Sequence, residues 1–448
     1  MRSLLISTYE MGRQPFGLAS AAAWLPAAGW DVDCVDVAKE KLRQERVDAA
    51  DLIAFHLPMH TATRLAAPLL VEARRTNPSA RICAFGLYAP LNAEWLQSLG
   101  ADAVFGGEFE EDLASFAGQL DGAPRPQSTQ SRIPKIHFLV PDRSGLPSLS
   151  KYAALQLPGG GRRLAGYTEA SRGCRHLCRH CPIVPIYEGQ FRVVQPEVVL
   201  ADLENQIAAG AEHITFGDPD FFNGPTHAMR IVRALHAKHR GVSYDVTIKV
   251  EHLLRHRDLL PQLAATGCAF VTSAVESIDD RVLELLDKGH TRAGFVEAVA
   301  LCRAAGVTLA PTFVAFHPWL TLASYCDLVD TIDELDLVDH VAPIQLAIRL
   351  LVPEGSRLFE LDEMRAHLGA FDPATLAYRW THPDPRVDAL QREVIALVGR
   401  RLTADRRSVF EEVSALAHER AGIPPRRVEP RPARDRATVP YLNEPWYC

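Results

Sequence analysis

Positive charge is not in excess in this sequence. Its 48 Lys and Arg stand against 55 Asp and Glu, leaving the 448-residue chain at −7, without the basic footprint that generic nucleic-acid binding needs. Long apolar runs are lacking too. The most apolar stretch, 307–323, is broken by Pro311, His317 and Pro318, so it reads as a buried strand and loop, and no membrane segment is expected. The opening MRSLLISTYE has no sustained apolar region and no small-residue cleavage site, so it reads as a first strand rather than a signal peptide. Cysteine is scarce: nine residues, odd in number and unevenly placed. That excludes a secreted disulfide framework and makes a reducing cytoplasm the expected compartment. Cys34, Cys83, Cys268, Cys302 and Cys326 lie in apolar or helical surroundings and are expected to be small buried thiols.

What is present is an α/β pattern long enough for two or three domains. Residues 1–120 alternate short apolar runs (RSLLIST, VDCVDV, DLIAFHL, ARICAFG, ADAVFGG) with amphipathic stretches, which predicts a Rossmann-like doubly wound domain whose ligand crevice lies at the carboxyl edge of the sheet, near Gly86 and Gly106-Gly107. Residues 121–166, rich in Pro, Gly, Ser and Gln, read as a linker. From 167 to 351 strand and helix alternate six times, predicting a partial (β/α)6 barrel with its active site at the strand carboxyl ends. Residues 352–422 read as a helical extension, including a helix over EMRAHLGAF, and 423–448 as an extended tail.

The segment SRGCRHLCRHCP holds Cys174, Cys178 and Cys181 in Cys-x3-Cys-x2-Cys spacing directly after a predicted strand. Three thiolates on one short loop can bind three irons of a cubane and leave the fourth open. Structural zinc, with His176 and His180 supplementing the cysteines, is the competing reading, but the second cysteine pair usual for such a site is missing.

The loop and the strands after it resemble the radical S-adenosylmethionine superfamily, over about Tyr167 to Leu351. The resemblance implies a [4Fe-4S] cluster that reductively cleaves S-adenosylmethionine to a 5′-deoxyadenosyl radical, with electrons from a donor such as flavodoxin or ferredoxin. It also implies roles by position. His180, before the third cysteine, takes the place of the usual aromatic residue near the adenine. Gly217 and Asp218, in Phe216-Gly217-Asp218-Pro219-Asp220-Phe221, match the stretch that holds the methionine amino group, with Asp220 as competitor and helix capping as the alternative. Glu276, ending VTSAVES, would contact the ribose or amino group. Leu286-Asp287-Lys288-Gly289-His290-Thr291 matches a Lys-Gly-His-Thr stretch of cobalamin-type relatives. Lys249, Glu251 and His317 end other strands, where a salt bridge or structural role competes with contact to substrate.

The N-terminal pattern resembles the cobalamin-binding domain that precedes many such barrels, but Tyr9–Pro15 stands where the Asp-x-His-x-x-Gly loop belongs; cobalamin stays open and is not favoured. The final Tyr441-Leu442-Asn443-Glu444-Pro445-Trp446-Tyr447-Cys448 resembles the approach to the Cys-selenocysteine-Ala-Glu-Pro or Cys-Cys-Ala-Glu-Pro tail of one radical S-adenosylmethionine group. That implies a selenocysteine codon after Cys448, with an incidental terminal Cys as the alternative. The expectation is a radical enzyme that abstracts hydrogen from an unknown substrate. A cobalamin-dependent methyltransferase and a noncatalytic iron-sulfur or metal-binding protein are the alternatives. A methylthiotransferase is less attractive, because only Cys34 and Cys83 are available upstream for a further cluster.

Overall fold

The structure, a computed structural model, describes residues 1–119, 133–401, 404–424 and 441–442. Strands β1 (Arg2–Ser7), β2 (Asp31–Asp36), β3 (Leu52–His56), β4 (Arg81–Phe85) and β5 (Ala103–Phe105) form a parallel sheet in the order β2-β1-β3-β4-β5. Its central strands are buried and mostly apolar because both faces are covered, with Ser3, Ser7 and His56 as buried polar exceptions. Leu5 packs with Leu18 and Ala21 of the helix Phe16–Trp24 on one face, while Leu4 and Ile6 pack with Ala66 and Leu70 of the helix His60–Thr76 on the other. After β1 the chain runs out to β2 and returns on the other side to β3, so the topological switch point, and its crevice, lies between β1 and β3.

A second sheet runs, in spatial order, Leu309–Phe313, Cys268–Glu276, Ser243–Thr247, His213–Phe216, Arg162–Thr168, Ala154–Gln156 and Tyr441–Leu442. In it β6 (Ala154–Gln156) is antiparallel to β7 (Arg162–Thr168), and the triple-glycine run read as linker supplies the turn between them, with Gly159 and Gly160 at φ 81° and 90°. β8 (Ser171–Gly173) and β9 (Phe191–Val193) form a separate antiparallel pair. The barrel strands β7, β10 (His213–Phe216), β11 (Ser243–Thr247), β12 (Cys268–Glu276) and β13 (Leu309–Phe313) are parallel, with helices between them.

The α/β class and the two-part architecture hold, with two differences of detail. The sixth barrel strand is reduced to one bridge, Phe316 with Arg349. Pro343 starts a 3-10 turn there, and the Gln345 side chain accepts the Phe313 N–H that a strand carbonyl would otherwise take. EMRAHLGAF is helical only over Asp362–Arg365. It then enters a hairpin of β14 (Leu368–Asp372) and β15 (Ala377–Trp380), turned at Asp372, whose carboxylate accepts the Ala374 N–H. That turn docks on the N-terminal domain, where Arg64 donates to the Ala374 carbonyl at 3.0 Å. Helices Pro385–Arg400 and Arg406–Ala421 complete the extension. The five cysteines expected to be buried are buried. β16 (Tyr441–Leu442) pairs with β6; the terminal cysteine, with its expected selenocysteine, lies outside the described residues.

Candidate active site

The cysteine loop leaves β8 and returns as β9, so it is clamped at its base. Gly173, at φ 74°, is where the chain turns into the loop, and a Cβ there would meet the Tyr187 ring at 2.3 Å. From the end of β10, Asp218 accepts hydrogen bonds from the Ala170 N–H (2.9 Å) and the Ser171 hydroxyl (2.5 Å). Burial pushes its carboxyl up to about 7 against those two donors. Its oxygens thus brace the approach to the loop. One residue on, Arg172 is fully enclosed and pairs with Glu108 at 3.1 Å, Glu110 at 2.7 Å and Glu169 at 2.7 Å. Glu108 and Glu110 belong to the N-terminal domain, so this cluster joins the two domains two residues before Cys174.

Cys174, Cys178 and Cys181 stand on this loop with Cys178 buried. Asn223 Oδ1 accepts the Arg175 N–H at 3.3 Å and lies 3.9 Å from Cys174 Sγ. The loop is roped down from three directions. The Arg179 N–H and guanidinium donate to the last carbonyls of the helix Asp280–Leu285 and to Leu286. The Ser356 hydroxyl donates to the Arg179 carbonyl, and Arg357 donates to that of Leu177, each at 3.2 Å.

The three thiols are not arranged for a single ion. Tetrahedral zinc would bring its thiolates within about 3.8 Å of one another. Among the described residues the ligand atoms that do lie within 4.8 Å of each other belong to His176, Asp220 and His252, not to the cysteines. The two histidines that might have completed a zinc site are engaged elsewhere.

His180 Nε2 lies 3.1 Å from Glu276 Oε1, and Lys288 Nζ donates to the same oxygen at 3.4 Å. Burial works against ionisation of Glu276, but the Lys288 ammonium and the His180 ring outweigh it and hold the carboxyl down at about 2. The backbone is unusual here too. The ladder between β12 and β13 slips between Ala274 and Glu276, and Glu276 has φ 70°. A bulge and a left-handed glutamate at a strand end re-aim the side chain at a local cost of order 1–3 kcal/mol.

His176 receives a hydrogen bond from Lys249 at 3.0 Å and faces Asp220 Oδ2 at 3.5 Å; His252 Nδ1 is 2.7 Å from that same oxygen. Burial opposes ionisation of Asp220, yet the two imidazoles hold it at about 2. Lys249 also meets Glu251 at 3.3 Å, so the pair expected at the end of β11 exists and extends into the loop. At Gly217 a Cβ would lie 1.8 Å from the Tyr167 hydroxyl, a close approach from a neighbouring strand that requires glycine there. His317 is buried, and burial together with His382 pushes it down to about 3.

All seven predicted site residues therefore fall at one end of the barrel. Arg172, Asn223 and His252 were not singled out. Arg172 stood inside the quoted cysteine segment, but two of its three partners, Glu108 and Glu110, lie more than 60 residues away in sequence, which no local pattern signals.

Residues 168–335 match the Radical SAM superfamily, so the resemblance read from the cysteine loop holds for that segment. The chain is 23% identical over 180 residues to the tRNA-2-methylthio-N(6)-dimethylallyladenosine synthase of Moorella thermoacetica, covering 38% of this chain and 40% of that protein. It is 25% identical over 246 residues to the ribosomal protein uS12 methylthiotransferase RimO of Paracoccus denitrificans, covering 49% and 50%. The chain thus spans about half the length of these curated relatives, or less. In fold it is similar to the cobalamin-dependent S-adenosylmethionine radical enzyme OxsB, solved with aqua-cobalamin and S-adenosylmethionine, at a TM-score of 0.71 and 14% identity over 94% of this chain and 72% of that one. TsrM from Kitasatospora setae, a radical S-adenosylmethionine methyltransferase solved with tryptophan and a cofactor analogue, gives 0.65 and 16% over 88% of both. Among the described residues no helix is long and apolar enough to cross a membrane.

Proposed function

We propose that this chain, built around a radical S-adenosylmethionine domain, reductively cleaves S-adenosylmethionine at a [4Fe-4S] cluster on Cys174, Cys178 and Cys181 and uses the product radical to abstract hydrogen from a substrate. The observation that carries this is the cysteine loop itself: three thiols too spread for one ion, on a clamped loop at the carboxyl end of five parallel strands, beside a buried Glu276 held ionised by His180 and Lys288. With the cluster bound, one electron from a reductant such as flavodoxin or ferredoxin breaks a carbon–sulfur bond of S-adenosylmethionine, leaving methionine and a 5′-deoxyadenosyl radical that becomes 5′-deoxyadenosine on taking a hydrogen atom.

The chain's own residues set the surroundings. The cysteines would hold three irons of the cluster, whose remaining iron would take up S-adenosylmethionine. Lys288, buried between Glu276 and the thiols, offsets the negative charge of the bound thiolates; its ammonium is held charged against burial by Glu276 and by Cys178 and Cys181. Glu276 is positioned to accept from a ribose hydroxyl or the ammonium group, with His180 beside it. Asp218, committed to Ala170 and Ser171, acts by fixing the loop, and Asp220 with its two histidines is the acid nearer Cys174. Gly217 keeps the end of β10 flat against Tyr167.

The test is anaerobic reconstitution with iron and sulfide, reduction, addition of S-adenosylmethionine and quantification of 5′-deoxyadenosine, beside the Cys174→Ala, Cys178→Ala, Cys181→Ala variant. Product from the intact protein alone supports the reading. No product from a spectroscopically verified cluster refutes it in favour of a redox or structural role. A methyltransferase is the second reading, favoured by fold likeness over most of the chain; S-adenosylhomocysteine as the main product would select it.

A further inference from the structure

The crevice at the switch point of the N-terminal sheet opens onto the cysteine loop. It is a cavity of about 270 Å³ with Met11, His56 and Gly86 from the carboxyl edge of the sheet on one side, and Gly173, Ile183 and Gly217 from the barrel on the other. Cobalamin is the group that the fold neighbours suggest for this place, and the residues here do not fit it. Pockets for drug-sized molecules run to roughly 300–1,000 Å³, and a corrinoid is larger than those molecules. The gap between β1 and β3 is filled: His56 Nδ1 lies 2.6 Å from Glu10 Oε1, and the His56 ring packs 5.1 Å from Phe85, itself 4.7 Å from Phe109. The helix after β1 presses on the same ring so closely that a Cβ on Gly17 would sit 2.1 Å from it.

What the cavity offers instead is one unmatched cation among apolar walls. The other ionisable side chains of its lining have neighbours of their own: Glu10 Oε1 faces His56 Nδ1 at 2.6 Å, and Glu169 meets Arg172 at 2.7 Å. Arg13 has no carboxylate partner among the described residues; its Nε is buried without a hydrogen-bond partner, and its guanidinium stands 5.0 Å from the Tyr167 ring. The helix Phe16–Trp24 starts three residues later with neither a side-chain cap nor an acidic residue in its first turn, which adds to the positive character of this corner. Phe109, Tyr187, Ile183 and Met11 supply a surface suited to an aromatic or bulky apolar body. We infer that this cavity binds the substrate, a small molecule with an apolar, preferably aromatic, body and a carboxylate gripped by Arg13. A guanidinium left with free donors in a part-buried site is matched best by a planar carboxylate, which takes two parallel N–H donors. The opposite wall, at Gly173, adjoins Cys174, so the body of the ligand lies toward the cluster. Calling the ligand a substrate rests on the radical reading above; the binding claim does not.

The test uses cluster-loaded full-length protein and 3-phenylpropionate as the probe, with saturable binding followed by ligand-observed saturation-transfer NMR and 3-phenylpropanamide as the uncharged control. The expected result is binding of the acid and not the amide, weakened at least tenfold by Arg13→Gln and by less than that by Arg13→Lys, which keeps the charge but loses the two parallel donors. Circular dichroism and cluster absorbance check that both variants remain folded and loaded. Equal binding by wild type and Arg13→Gln, equal binding of acid and amide, or no binding of the acid by wild type would each overturn the proposal. So would retention of one equivalent of hydroxocobalamin through desalting. None of these readouts needs cleavage of S-adenosylmethionine, so a failure here is distinct from a failure of the radical chemistry.

Discussion

The carboxylate of Glu276 is shared between His180, 3.1 Å away, and Lys288, 3.4 Å away, on the same oxygen. Removing one member of a buried ion pair strands the other, at about 3–5 kcal/mol. Lys288→Met is therefore expected to lower unfolding free energy by that order, and Lys288→Met/Glu276→Leu to recover most of it. Denaturant melts of the cluster-free wild type, Lys288→Met, Glu276→Leu and the double variant measure the coupling. A double variant as weak as the single one would show that the pair is not the source of the loss.

Arg172 carries a larger stake, because three carboxylates depend on it. Arg172→Met should destabilise by about 3–5 kcal/mol and, since two partners lie in the N-terminal domain, expose the junction around residues 107–110 to protease in native conditions. Unchanged cleavage patterns would argue against an interdomain tie.

Glu108 makes the same cluster pH-sensitive. Burial raises its carboxyl to about 7 despite Arg172, above an unfolded value near 4.5. The contribution of the protonated form is thus complete below about pH 4.5 and is lost as pH rises through 7. Glu108→Gln stays neutral throughout, so relative to wild type it should gain up to about 3 kcal/mol between pH 5 and pH 8. Thermal melts at those two pH values decide it; a constant difference would mean that Glu108 ionises normally.

Gly217→Ala would push a methyl group into the Tyr167 ring. A loss of about 1–3 kcal/mol is expected from such overpacking, with partial rescue by Tyr167→Leu. If the two substitutions proved additive, the ring would have to yield by another route.

How much of this was legible in the sequence follows from the range of each interaction. The cysteine spacing on a loop after a strand, the strand endings at Gly217 and Glu276 and the alternation of β1, β3 and β4 are local patterns, and the structure places each of these elements where the sequence puts it. Local residue chemistry also misled: His-Leu-Gly-Ala-Phe has helical periodicity, but Asp372-Pro373 beyond it turns the chain back as a hairpin. The bulge that gives Glu276 its positive φ lies in the register with β13, more than thirty residues later, while Arg172 reaches Glu110 in the N-terminal domain and His176 meets Asp220 and Lys249 beyond the ends of two other strands. Asp218 shows the remaining limit. Its type and place suggest a ligand contact, but neither signals the hydrogen bonds it accepts from Ala170 and Ser171 at the approach to the loop.

The struts from Ser356 and Arg357 to the backbone of Arg179 and Leu177 bear on the order in which the molecule is made. A ribosome releases the three cysteines some 180 residues before those struts are synthesised, so the loop spends much of translation without its last two anchors. Its final shape belongs to the finished chain. The loop's complete set of anchors therefore exists only once the C-terminal extension has docked.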